Sequence, residues 1–222
     1  MPGTPLIRSG QFHAPGRPLP PQRLAEVRRV LGAELQALTA DHGLRLESGR
    51  DPEERLVRTT GLELPWLCGF AEAGLKRLTR SLSADLIGGA NVTRLDRTLT
   101  LAHPRLPYRR AVRIVSSRGW RLALGDALPP PAAASLVRFC GHLPVQILYL
   151  PGQPQPASLA AGRQGFHYIA PWGGQVMAAD LPLPAAPGPA VCRFRLDRLL
   201  LAMLGLTAAP DAWPVAGAAT AG

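Results

Sequence analysis

The sequence predicts an α+β protein built on a largely antiparallel sheet, and three observations carry that expectation. Apolar residues recur every three or four positions up to about residue 89, and every second position in the segment that follows. Two pairs of strand-like segments are joined by short turns, Ser116-Ser117-Arg118-Gly119 and Pro171-Trp172-Gly173-Gly174. No regular alternation of strand and long helix appears, which argues against a parallel βαβ sheet.

Taken in order, residues 1–21 are Pro-rich and read as an extended arm. Leu24, Val27, Leu31, Leu35 and Leu38 then mark a helix from Gln22 to Ala40, stopped by Asp41-His42-Gly43. Leu44–Gly49 suits a short strand inside a polar stretch. A second helix starts near Pro65, a residue favoured in a first turn. Its stripe is Trp66, Leu67, Phe70, Leu75, Leu78 and Leu82, and Gly88-Gly89 ends it. Asn91–Leu101 alternates as a strand with Leu95, Leu99 and Leu101 on one face. Arg109–Val115 and Trp120–Leu124 are expected to form a hairpin, with Gly119 taking a positive φ.

Pro129-Pro130-Pro131 interrupts the chain before a short helix, Ala132–Cys140. Pro144–Leu150 is the plainest strand, and Gly165–Ala170 pairs with Gln175–Asp180 as a second hairpin. A strand or helix follows from Val191, and Leu196, Leu199, Leu200, Met203 and Leu204 favour a closing helix. The expected order is helix-helix-βββ-α-βββ-α, in two hairpin-rich halves. The organisation is an arm (1–21), one α+β domain (22–206, helical to 89 and sheet from 90), and a disordered tail (207–222).

With 46% hydrophobic and 18% charged residues among 222, the chain is able to bury a core. Cys68, Cys140 and Cys192 form no paired motif, which fits reduced thiols and a cytoplasmic protein, monomeric or homodimeric. The longest apolar stretch, Leu199–Ala209, is about half of the roughly 20 residues a membrane-spanning helix needs, so no membrane partner is expected.

Charge is the informative feature. Of the 25 cationic side chains only Lys76 is lysine, and the net charge is +10. Residues 1–72 balance nine Arg with nine acids, so the whole excess lies beyond them. Between 76 and 121, eleven basic residues face only Asp85 and Asp96. A density of this kind attracts polyanions.

In the expected hairpin, Val112 and Ile114 face the core with Trp120, Leu122 and Leu124. The opposite face then presents Arg109, Arg113 and Arg121 between small residues, with Arg94 alongside on the preceding strand. Arg118 sits at the tip, and Arg110, Lys76, Arg77 and Arg80 extend the basic region. A guanidinium fork matches phosphate oxygens, and phosphate neutralisation supplies most sequence-independent affinity for nucleic acid. The expected function is therefore binding of DNA or RNA along its backbone, through an arginine-rich sheet surface. Aromatics are 5% of residues and only Tyr108 adjoins the cluster, which favours backbone contact over base stacking.

Catalytic motifs are sparse. Cys140-Gly141-His142 is the one close Cys/His pair. His103, His142 and His167 are far apart and lack metal-ligand spacing. Asp126 and Asp180 are isolated, and no glycine-rich phosphate loop is present, so no cofactor or metal is expected. Two alternatives stay open. One is an enzyme or ligand-binding protein holding an anionic small molecule in a closed pocket with Asp126, His142 or His167. The other is an adaptor that meets an acidic partner.

Overall fold

The computed structural model describes residues 19–49, 54–87, 95–96, 98–156, 163–170, 175–183 and 188–204. The expected arm (apart from Leu19 to Pro21), the tail, and residues 91–94 and 97 of the expected Asn91–Leu101 strand, Arg94 among them, lie outside these residues.

The amphipathic stripe of the first helix forms α1, Pro21–Asp41. Leu24, Val27, Leu31 and Leu35 in it are all 0% exposed. Burying each such side chain contributes on the order of 1.5–3 kcal/mol before the entropy of ordering is deducted. A short antiparallel hairpin follows, β1 (Leu46–Ser48) and β2 (Glu54–Thr59). Helix α2, Leu64–Arg80, carries Pro65 in its first turn, and α3 is the single turn Ala84–Ile87.

Strand β3 (Arg105–Pro107) leads directly into α4 (Tyr108–Ser116), and α5 (Pro130–Phe139) follows it. The last third is a meander: β4 (Val145–Tyr149), β5 (Arg163–Ile169), β6 (Gln175–Pro182) and β7 (Ala190–Arg195). Helix α6, Leu196–Leu204, closes it. The seven strands form one sheet in the order β1-β2-β7-β6-β5-β4-β3. Every neighbouring pair is antiparallel except β3 with β4.

Register assigns the faces. Gln146, Tyr168, Met177 and Phe194 are paired across one face. Helices α1, α2 and α6 pack there and build the larger core. Ile147, His167, Ala178, Arg193 and Leu56 are paired across the other. Helices α4 and α5 cover only the β3–β4 end of that second face, where Val145, Ile147 and Tyr149 join a smaller core.

The α+β class with a largely antiparallel sheet is as expected, but the arginine hairpin is not. Residues 108–116 are helical, 120–123 are irregular, and Leu95, Asp96 and Thr98–Thr100 are helical too. Tyr108, Ala111, Val112 and Val115 are the buried residues of α4, the i, i+3, i+4, i+7 set of a helix rather than the alternation of a strand. Three strands are thus missing from the first half, and β4 to β7 are consecutive in the second. The second helix also ends earlier than expected, since Ser81 to Ser83 separate α2 from α3.

Candidate nucleic-acid interface

Helix α4 begins because Pro107 fixes φ at −53° beside it, and because Tyr108 anchors the first turn. The Tyr108 ring is buried, and its hydroxyl donates to the Asp126 carbonyl and accepts the Gly125 amide at 3.0 Å. The helix ends at Ser116, and the turn that follows closes at Gly119, whose φ of 90° is open to glycine at little cost. With Tyr108, Ala111, Val112 and Val115 turned inward, Arg109, Arg110 and Arg113 are exposed on the outer face. Arg118 and Arg121, in the turn and the irregular segment after α4, are exposed as well.

The structure therefore gathers five of the expected binding residues, on a helix and its following turn instead of a sheet. Among the described residues, no ion pair joins Arg109, Arg110, Arg113, Arg118 or Arg121 to a carboxylate. The nearby acid, Asp126, has its carboxylate on the Ala123 amide at 2.7 Å. Arg113 and Arg138 lie in the last turns of α4 and α5, where a cation also interacts favourably with the helix dipole.

The cations of α2 are differently placed. Lys76 donates to Glu72 at 2.9 Å, one helical turn away. Arg77 bridges to Glu34 at 2.9 Å and to Asp41, both on α1. These hydrogen bonds raise the Arg77 pKa above its already high value. Arg105 reaches the other oxygen of Glu72 at 3.3 Å. Against the upward push of burial, the hydrogen bonds from Lys76 and the His103 amide hold the Glu72 carboxyl below its ordinary range. Arg80 is exposed at the end of α2. Arg77 thus ties α2 to α1, while Lys76 is paired within α2.

One residue of the surface escaped the sequence reading. Phe139, the last residue of α5, is 52% exposed, and the Arg118 guanidinium carbon lies 5.2 Å from its ring centroid. Arg138 beside it is exposed. The sequence carried no signal for this: Phe139 follows Ser135 and Leu136 by four and three residues, in line with the buried stripe of α5, yet it is exposed at the last residue of the helix.

The enzyme candidates scatter. Burial raises the Cys140 thiol pKa, with Arg110 offsetting part of the shift, which is the opposite of thiolate activation. His142 occupies a left-handed turn position at φ 63°. His103 is buried, its ring nitrogens meeting the Tyr168 hydroxyl and, at 2.8 Å, the Thr98 carbonyl. His167 lies on the second sheet face, where its Nδ1 is 3.0 Å from the Tyr149 hydroxyl. Burial lowers its pKa to about 4; Arg193 and Arg195 push the same way and Asp180 opposes them. Asp180 itself is taken by Arg193. A cleft of about 530 Å³ opens between the start of α2 and the ends of β6 and β7. Its charged or amide side chains are Glu63 and Gln164; no arginine and none of Asp126, His142 and His167 lines it. No group of three His, Cys, Asp or Glu side chains suited to a metal ion occurs among the described residues. No described helix is long and apolar enough to cross a membrane, and the three cysteines are free thiols.

No known protein family matches the sequence, and no curated protein is similar to it. Solved structures do resemble the fold. Asparaginyl-tRNA synthetase from Pyrococcus horikoshii aligns over 86% of this chain and 66% of its own, with a TM-score of 0.65 at 12% identity. Its complex with asparaginyl-adenylate aligns over 80% and 54%, with a TM-score of 0.56 at 15% identity. Aspartyl-tRNA synthetase from Entamoeba histolytica aligns over 86% and 58%, with a TM-score of 0.64 at 7% identity. The chain spans between 54% and 66% of the length of these three structures, and at such identities the likeness is one of fold.

Proposed function

We propose that this protein binds RNA through its phosphate backbone, using Arg109, Arg110, Arg113, Arg118 and Arg121, with little dependence on base sequence. The observation that carries the reading is the placement of five exposed guanidiniums on a surface without carboxylate partners. Arg109 and Arg113 are one helical turn apart, roughly 6 Å along α4, so two neighbouring phosphates are within their joint reach. The resemblance in fold to proteins named as tRNA synthetases supports RNA over DNA. The cleft, which no arginine lines, gives less support to an anionic small-molecule ligand.

A salt titration of binding to tRNA, duplex RNA and duplex DNA tests the proposal. Replacing Arg109 and Arg113 by Gln should weaken binding to all RNA sequences alike and flatten the slope of log affinity against log salt by about 1.5 to 2. Unchanged slopes, or no polyanion binding at about 50 mM salt, would overturn it.

A further inference from the structure

Phe139 is placed where a structural role does not account for it. It is a large aromatic at the surface end of α5, more than half exposed even with Arg118 over its ring. The smaller core that α5 serves is filled without it, by Leu136, Val137 and Ala133 against Val112 and Val115 of α4. Arg118 lies on the ring, and the exposed Arg138 is next in the chain. An exposed ring among guanidiniums offers a flat apolar surface bordered by phosphate-binding groups.

We infer that Phe139, with Arg118, is a stacking platform for an unpaired nucleobase, and that it directs the arginine surface to RNA with bulged or looped nucleotides. This rests on the RNA reading above and adds the class of RNA to it. The chemistry is general: every base has a π face, and a base stacks on Phe or on an Arg plane only when it is out of the duplex. The phosphates that flank such a base then lie beside Arg118 and Arg138, while α4 holds the adjoining backbone. A perfect duplex satisfies the arginines and leaves Phe139 unused. Tyr108, the aromatic nearest the cluster in sequence, is buried and takes no part.

Two RNAs separate the contributions: a perfectly paired, blunt-ended duplex without a loop, and the same duplex with one bulged 2-aminopurine, which adds a single phosphate. The full-length protein should bind the bulged RNA about tenfold more tightly and quench its fluorescence, given the usual strength of base stacking on an aromatic ring. Phe139→Leu keeps the bulk and should abolish the preference and the quenching, while the slope of affinity against salt stays as in the parent. Phe139→Trp should retain both. Equal binding of the two RNAs by the parent protein, or a preference that survives in Phe139→Leu, overturns this inference and leaves the phosphate-binding reading standing. Failure to bind either RNA overturns both.

Discussion

The basic run from Lys76 to Arg121 is continuous in sequence, yet its two ends meet different fates. At the α2 end, Lys76 is taken by Glu72 within the same helix, and Arg77 is taken by Glu34 and Asp41, so its charge goes into joining α1 and α2. At the α4 end, five guanidiniums are exposed, and among the described residues none is paired with a carboxylate. The difference lies in the opposing surfaces. Helix α2 lies against α1, which brings acids from far along the chain, whereas the outer face of α4 is exposed among the described residues. A count of charges along a chain therefore gives the sum, while the fold decides which of them remain available to a partner.

The sharpest way to break the comparison is to remove what holds α4 in place. Replacing Val112 and Val115 together by Ala deletes apolar groups from the smaller core and should cost about 2–4 kcal/mol in chemical denaturation. If stability is unchanged, α4 is not anchored through this face and the outward set of arginines is wrong.

A second test concerns a further group of charges that the fold keeps for itself. His167 is partly buried near Asp180, Arg195 and Arg193, and desolvation lowers its pKa to about 4. The unfolded chain takes up this proton near pH 6.5 and the folded chain only near pH 4. Stability therefore falls as pH drops through that interval, by on the order of 2–3 kcal/mol from this residue. Comparing the pH dependence of denaturation of the parent with that of His167→Gln isolates the contribution. Curves of the same shape would show that the imidazole is not held neutral.

The smallest expected effect is the most telling for function. Replacing Lys76 and Arg77 by Gln removes as much charge as replacing Arg109 and Arg113. It should leave the salt slope of RNA binding nearly unchanged, against a loss of about 1.5 to 2 for the α4 pair. Equal losses for the two pairs would mean that binding senses net charge rather than this surface.

Much of the scaffold was legible in the sequence. The stripe of α1 is wholly buried, and the strand in Pro144–Leu150 and the hairpin of β5 and β6 fall where periodicity and turns place them. The segment 108–116 was misread because Val112 and Ile114 fit a strand while Tyr108, Ala111, Val112 and Val115 fit a helix, and nine residues are too few to separate the two periods. Trp120 and Leu122 reinforced the error, since they do pack on the smaller core, but from an irregular segment. The pairing of Arg77 with Glu34 and Asp41 was beyond the sequence, because it depends on how α1 and α2 meet. The arginines themselves were found, and their element was not.

The pairing of β2 with β7 has a consequence for how the chain is made. Glu54 lies opposite Arg195, and Arg28 of α1 is clasped by Asp197 at the start of α6. The β1–β2 hairpin must therefore wait through roughly 140 residues of synthesis, or about 7–28 s at ribosomal rates, before its sheet partner exists. During that interval β2 is an unpaired edge bearing the apolar Leu56 and Val57. Flanking them are Glu54, Arg55 and Arg58, whose charges discourage a premature neighbour. The charges on this edge thus belong to residues whose sheet partners, Arg195, Phe194 and Val191, are translated roughly 130 to 140 residues later.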